Sequence, residues 1–328
     1  MSREKELVLG IDLGGTKILT AVIDARGDLL GRDHSITPAA LGPDGVMEAI
    51  GRSAERAMAQ CGRKIAHMTA IGIGAPGPSN PQSGIIYTSP HLPGWEQLPV
   101  HRVLEERFGR PAFLINDANA AALAEHRFGA GQGTREMIYL TISTGIGGGL
   151  ILNGRLYTGS IGTAGELGHM TIQADGPRCN CGNVGCWEAL ASGTALAREA
   201  RRVVESGAVS LISRLAGGDP GAITAPVVQE AAEKGDAAAR ALIARTAEYF
   251  GIGLANLLNI FNPECVVIGG GLTNLGEGFM QSSYAAARTR AYRIAYEAVQ
   301  FKPPALRRNS GVLGAAAYAF DRLKADSA

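Results

Sequence analysis

Four residues carry the strongest chemical signal in the chain. His169 precedes Cys179, Cys181 and Cys186, and the stretch 179–188 reads Cys-Asn-Cys-Gly-Asn-Val-Gly-Cys-Trp-Glu. One imidazole and three thiolates complete a closed tetrahedral Zn2+ set of the structural type. Three of the five cysteines fall within eight residues, and the total is odd, which fits a metal site better than a disulfide framework. The competing reading is three free thiols and an unrelated histidine, and the spacing weighs against it. Cys61 and Cys265 read as single structural thiols. Bound zinc would fix the His169 ring and leave its other nitrogen facing outward. Glu166 lies three residues before His169, and Glu188 two after Cys186. Two carboxylates beside an anchored imidazole would make a polar wall suited to pairs of sugar hydroxyls. Taken alone, each glutamate reads as solvated surface.

A second chemistry is phosphate handling. Asp12 is followed by Gly14-Gly15-Thr16-Lys17, and Ser143-Thr144-Gly145-Ile146-Gly147-Gly148-Gly149 repeats the pattern. Glycine turns present backbone N–H donors at close range because no Cβ blocks the approach. Asp12 can orient Mg2+ or its water shell, Thr16 offers a hydroxyl and Lys17 a cation. Neither turn matches the P-loop or the Rossmann fingerprint. Two ordinary hairpins remain the plain alternative, which the matching pair and Gly269-Gly270-Gly271 weaken. Asp117 sits between an apolar run and a helical one. It can cap that helix, or it can act as general base toward a hydroxyl, with Asn116 hydrogen-bonding neighbouring hydroxyls.

The elements that would position these groups follow from periodicity. Leu7–Ile11 and Ile18–Ile23 predict a hairpin with a glycine tip, and residues 44–60 a helix. Met68–Ile73 predicts a strand ending in the chain-breaking Gly74-Ala75-Pro76-Gly77-Pro78. Val100–Phe108 reads as a helix, Ala112–Ile115 as a strand and Ala118–Phe128 as a helix stopped by Gly129. Met137–Leu152 predicts strand, glycine turn, strand. Residues 175–185 read as a loop, and 192–206, 227–247 and 249–261 as helices. Cys265–Ile268 reads as a strand and 314–324 as a last helix. Alternating strands and helices imply an α/β protein. The two similar hairpin units imply two related domains whose glycine turns face a cleft, with hinges near 117–120 and 300–312. The expected division is 1–117 plus about 305–328 as the smaller domain, and 118–304 as the larger one holding the zinc site.

Composition bounds the rest. A length of 328 residues suits two domains. Thirty-one basic against 30 acidic residues leave a net charge of +1, which gives no reason to expect nucleic acid or an acidic membrane as partner. Met1–Glu6 lacks the apolar stretch of a signal peptide. The uncharged run from Met137 to Gly154 is interrupted by five glycines, so it does not read as a membrane span. A cytoplasmic location is the expectation.

Taken together, these residues resemble the ROK family of repressors and sugar kinases. The matching pieces are Asp12–Lys17, Gly72–Pro78, Asn116-Asp117, Ser143–Gly149, Glu166–His169, Cys179–Glu188 and Val266–Gly271, in the family's order along nearly the whole chain. The resemblance implies a two-domain actin-like, hexokinase-type (ribonuclease H-like) fold with ATP and a hexose in the interdomain cleft. It implies Asp117 as catalytic base, and Gly77, Asn116, Glu166, His169 and Glu188 as sugar contacts with Asp117. It places Asp12 near Mg2+. On the nucleotide side it places Gly14, Gly15, Thr16, Lys17, Thr144, Gly145, Gly147 and Gly270. His169, Cys179, Cys181 and Cys186 become the zinc ligands. The implied activity is ATP-dependent glucose phosphorylation, within glycolysis, by a homodimer or dimer of dimers. N-acetylglucosamine, N-acetylmannosamine, mannose and fructose are the alternative acceptors. A sugar-responsive repressor would need a helix-turn-helix segment before Asp12, and only eleven residues precede it. A non-catalytic sugar binder or actin-like assembly protein has no need of Asp117. One departure is His91, in Pro90-His91-Leu92-Pro93-Gly94-Trp95, where family glucokinases often carry Asn; it bears on hydroxyl or N-acetyl preference.

Overall fold

A computed structural model describes residues 6–89 and 92–325. His91 therefore lies outside the described residues. The chain begins with three antiparallel strands, β1 (Leu7–Leu13), β2 (Lys17–Asp24) and β3 (Leu29–Ile36), followed by helix α1 (Gly42–Gln60) and strand β4 (Met68–Ala75). Three short strands form a small sheet of their own, β5 (Ser79–Asn80), β6 (Ile85–Ile86) and β7 (Leu98–Pro99). Helix α2 (Val100–Phe108), strand β8 (Ala112–Asn116) and helix α3 (Asp117–Phe128) follow. The main sheet here has the order β3-β2-β1-β4-β8, with β1, β4 and β8 parallel.

Alternation along β1 explains the layering. Leu7, Leu9, Ile11 and Leu13 join Val46, Ile50 and Ala54 of α1 in one core. Val8 points the other way, into a core with Ala124 of α3 and Val312, Leu313 and Ala316 of the C-terminal helix. The parallel strands of this mixed sheet need cover on both faces, and here helices cover both.

The chain continues through β9 (Met137–Ile142), β10 (Ile146–Leu152) and β11 (Arg155–Tyr157). Helices α4 (Trp187–Ala191), α5 (Gly193–Glu205), α6 (Leu211–Leu215), α7 (Ala225–Glu233) and α8 (Ala237–Phe261) come next. Strand β12 (Cys265–Gly269), helices α9 (Glu277–Arg288) and α10 (Arg293–Ala298), strand β13 (Gln300–Lys302) and helix α11 (Ser310–Ala325) complete the chain. The second sheet runs β11-β10-β9-β12-β13, with β9, β12 and β13 parallel. It repeats the first sheet's order, a hairpin and its third strand followed by two parallel strands. The repeat read from the two glycine-tipped hairpins is thus a repeat of sheet topology.

The chain divides into two compact units, 1–135 with 149–165 and 304–328, and 136–148 with 166–303. Helix α3 stays with the first unit, packed on α11, whereas the sequence placed the boundary at 117. A buried carboxylate is central to that packing. Glu125 of α3 accepts hydrogen bonds from the backbone N–H of Ala130, Ala305 and Leu306 at 3.0, 3.0 and 2.9 Å, and from Ser310 Oγ at 3.1 Å. Four donors satisfy a charge that would otherwise be costly to bury.

Two element expectations change. Residues 227–261 are not helices meeting near 248. The break falls at Gly235, and Asp236 caps the start of α8, its side chain accepting from Ala239 N at 2.8 Å. Gly147, Gly148 and Gly149 lie in β10, and the turn is Ser143-Thr144-Gly145, closed by Ser143 N donating to Gly145 O at 2.9 Å. The strand is packed tightly there: a Cβ at Gly148 would crowd the Tyr139 carbonyl at 3.1 Å and displace the end of the Leu167 side chain at 2.7 Å.

Candidate active site and metal centre

The candidate metal ligands are gathered by a short loop. Cys179 N donates to Asn183 O, Gly182 N to Cys179 O, and Arg178 pairs with Val184 as an antiparallel bridge. This tight turn brings Cys179 and Cys181 up to Cys186, whose Sγ faces the His169 carbonyl at 3.4 Å. The ligand atoms of His169, Cys179, Cys181 and Cys186 all lie within 4.8 Å of one another. Cys179 Sγ is 3.7 Å from His169 Nδ1, and Cys181 Sγ is 3.7 Å from Cys186 Sγ. A tetrahedron with metal–sulfur bonds of about 2.3 Å has edges of about 3.8 Å. The separations fit that edge and are far too long for a disulfide. Burial, with the neighbouring thiols, pushes Cys186 up to about 12. Packed thiols held this close favour a cation that takes them as thiolates.

The His169 ring is oriented by this arrangement. Nδ1 faces the cysteines, and Nε2 lies 3.9 Å from Glu166 Oε2. Glu188, in the first turn of α4, accepts from Ile146 N at 2.8 Å. A Cβ on Gly145 would lie 2.2 Å from Glu188 Oε2, so only glycine leaves room for the carboxylate at this turn. Burial raises the Glu166 carboxyl; His169 opposes the shift and the Glu188 charge adds to it. Helix α4 is itself anchored by Trp187, which stacks on Phe250 of α8 at 5.2 Å and donates from Nε1 to the Tyr249 carbonyl at 3.1 Å.

In the first unit the β8–α3 junction places Asn116 and Asp117 side by side at the start of a helix. Asn116 is the N-cap: its Oδ1 accepts from Ala118 N at 2.9 Å and Asn119 N at 3.2 Å. Its Nδ2 donates to the Gly77 carbonyl at 3.3 Å. Gly77 has φ of 96°, and a Cβ there would meet the Thr88 carbonyl at 2.4 Å, so this loop requires glycine on both counts. Asp117 is the first helical residue, with Oδ1 accepting from Ala118 N at 2.8 Å. The carboxyl of Asp12, near the end of β1, is pushed up to about 6, first by burial and then by the Asp117 charge. Two carboxylates in each other's field are a natural seat for a divalent cation.

The family model described as ROK family matches residues 8–322. The chain belongs to the ROK family. Among its relatives, a glucokinase of Thermotoga maritima is 36% identical over 96% of this chain and 98% of that protein. A ROK hexokinase of Thermus thermophilus superposes with a TM-score of 0.84 at 42% identity, covering 97% of this chain and 99% of that one. A ROK family glucokinase of Streptomyces griseus, solved in complex with glucose and AMPPNP, gives a TM-score of 0.77 at 33% identity, covering 96% and 99%. The fold is accordingly the actin-like sugar-kinase fold of these ROK structures.

Within this ROK chain the structure brings together most of the residues singled out by sequence. Glu166, His169 and Glu188 converge beside the cysteines. Asp12, Asn116, Asp117 and Gly77 converge in the first unit. Gly14 N donates to the Lys17 carbonyl and closes the first turn, and Thr37 holds that turn from β3's end, donating to the Gly14 carbonyl at 2.7 Å. Gly15 and Thr16 lie at its tip, and the Lys17 side chain is exposed at the start of β2. In the second unit a cavity of about 450 Å³ opens beside Thr144, Gly193 and Gly271. Gly270, with φ of 99°, makes the sharp exit from β12 toward it. Gly147 is a strand residue and does not line the turn.

The remaining walls of that cavity were missed. Thr194 and Ala197 come from α5, Thr224, Pro226 and Gln229 from the start of α7, and Asn274 from the turn after β12. Gln229 Nε2 ties α7 to that turn by donating to the Asn274 carbonyl at 2.9 Å. The available signal was Thr224-Ala225-Pro226, a helix start; in the structure Thr224 makes no side-chain capping bond and lines the cavity. Among the described residues no helix is long and apolar enough to cross a membrane.

Proposed function

We propose that this ROK chain transfers the γ-phosphate of ATP to the 6-hydroxyl of glucose. The observation that carries the reading is the arrangement of the β8–α3 junction. Asn116 is the N-cap, and Asp117, the first helical residue, sets its carboxylate in the field of Asp12, where it can serve as a base. A hydroxyl is a weak nucleophile, and a fixed carboxylate orients it and takes its proton as the bond to phosphorus forms. The sugar oxygen attacks the γ-phosphorus, the bond to the β,γ-bridging oxygen breaks, and ADP leaves with that electron pair. Glu166, His169 and Glu188 are assigned as hydroxyl partners, with Asn116 and Gly77. In this assignment the rigid wall of His169 Nε2 and two carboxylates gives direction to hydrogen bonds that a flexible surface could not.

The glycine turns at Gly14-Gly15-Thr16 and Thr144-Gly145, with Gly270, are assigned to the phosphates, and the 450 Å³ cavity to the base and ribose. Its apolar lining of Ala197, Ile223, Pro226 and Leu275 suits a flat aromatic ring. Mg2+ held near Asp12 would offset charge on the phosphates. The cluster of His169 and the three cysteines is assigned to one zinc per chain, with a structural role. A coupled ADP-release assay with MgATP against glucose, mannose, fructose, N-acetylglucosamine and N-acetylmannosamine tests the reading. Glucose is expected to give the highest kcat/KM. No turnover on any of them by folded, zinc-replete protein would overturn it.

A further inference from the structure

The second unit has another concave site, of about 310 Å³, formed where the metal-binding loop meets α4, α5 and α8. Three arginines reach it: Arg198 and Arg202 from α5, and Arg245 from α8. Leu190 and Leu242 supply apolar wall, and Gln173, Asp175 and Gly176 of the metal-binding loop close one side. Opposing the three guanidinium groups are two carboxylates, Glu199 and Asp175, so the lining is net positive.

The hydrogen bonds show which donors remain to be used. Arg198 is committed: Nε and Nη2 donate to Glu199 Oε1 at 3.0 and 2.9 Å, and Nη2 also to the Ala189 carbonyl at 2.8 Å. Among the described residues Arg202 donates only from Nη1, toward Glu199 at 3.1 and 3.4 Å. Among the same residues Arg245 donates only from Nη2, toward Tyr249 Oη at 3.1 Å, with its guanidinium 5.5 Å from the Tyr249 ring centroid. A guanidinium has five N–H donors in a fixed fork that matches phosphate oxygens. Glu199 thus holds Arg198 and Arg202 in place, while Arg202 and Arg245 still carry donors from two different helices. A cavity near the lower end of the range for ligand sites, about 300 to 1,000 Å³, suits a small molecule and not a nucleoside triphosphate.

We propose that this cavity binds a small phosphorylated metabolite of three to six carbons, its phosphate on Arg202 and Arg245 and its carbon skeleton against Leu190, Leu242 and the metal-binding loop. Occupancy reaches the sugar side through α4. Leu190 lies two residues after Glu188, and Arg198 fixes the Ala189 carbonyl between them. A ligand seated here shifts the KM for glucose more than kcat. That coupling rests on the kinase reading above, whereas the binding does not.

Isothermal titration of zinc-replete protein, with and without saturating glucose and AMPPNP, separates this site from the catalytic one. The probes are fructose 1,6-bisphosphate, 3-phosphoglycerate and inorganic phosphate. At least one phosphoester is expected to bind once per chain with glucose and AMPPNP present, and more tightly than inorganic phosphate. The Arg202→Ala/Arg245→Ala double variant is expected to weaken that binding at least about tenfold, close to the loss of one charged contact, with metal content and basal kcat unchanged. Arg245→Gln alone, at an exposed side chain, is expected to weaken it in the same direction. No binding at millimolar phosphoester, equal binding of inorganic phosphate, or unchanged affinity in both variants would overturn the assignment.

Discussion

Asp117 and Asn116 stand at a junction where capping and catalysis ask for the same kinds of side chain. Sequence could place a carboxylate there but not decide its task, because a cap and a base both sit at the end of a strand and the start of a helix. The hydrogen bonds of Asn116 decide the cap. Asp12 carries a pH consequence. Its folded-state carboxyl, near 6, lies above the ordinary 3.8, so between those values the folded chain holds the extra proton. This group's contribution to stability is therefore greatest below about pH 4 and is lost as pH rises toward 6. Urea midpoints measured across that window without Mg2+ are expected to show a component that disappears in Asp12→Asn. The cysteines were legible as a candidate metal set because a tetrahedral ion, where one binds, imposes spacing on the chain itself. Cys181→Ser, at an exposed ligand, is expected to lose the zinc and raise the glucose KM. Elemental analysis checks the first, and full metal content in the variant would remove Cys181 from the ligand set.

Elements were readable where hydrophobic period was strong, and lost where glycine had a steric task. The two hairpins and the helix at Val100–Phe108 follow from pattern alone. Gly147–Gly149 looked like a turn, and only the close packing of Leu167 and the Tyr139 carbonyl on Gly148, and of Ala122 on Gly149, explains glycine at these two strand positions. Residues 29–36 alternate poorly, with charged and polar side chains on an edge strand, so β3 gave little signal. Glu125 was silent too, since nothing in a helical run announces which glutamate will be buried. Its removal would take away the carboxylate that the backbone N–H groups of Ala305 and Leu306 donate to, along with one acceptor of Ala130 N and of the Ser310 hydroxyl, which also donates to the Arg307 carbonyl. Glu125→Ala is expected to cost about 3 kcal/mol or more in chemical denaturation, from buried donors worth about 1–3 kcal/mol each. A loss below about 1 kcal/mol, the level of an ordinary surface change, would contradict the clamp. Trp187 anchors α4 and therefore Glu188. Trp187→Ala is expected to cost about 3–5 kcal/mol as a buried aromatic and to raise the glucose KM.

Over the whole molecule, one sheet order appears twice in a single chain, and the repeat was visible as two strand–glycine–strand patterns long before the helices could be assigned to either unit. The assignment of α3 depended on a partner, α11, nearly two hundred residues away, which no local pattern reports. The four candidate metal ligands fall wholly on the second unit, so folding energy from a bound metal should be local to it. Calorimetry with a chelator is expected to lower one thermal transition and leave another in place, as separate units permit. The central claim, that Asp117 is the base of a glucose-phosphorylating ROK enzyme, is tested most directly by steady-state kinetics of Asp117→Asn with glucose and MgATP. In this variant kcat is expected to fall by roughly 10²-fold or more, as for loss of a general base, with glucose KM and zinc content little changed. A variant with unimpaired kcat would contradict it.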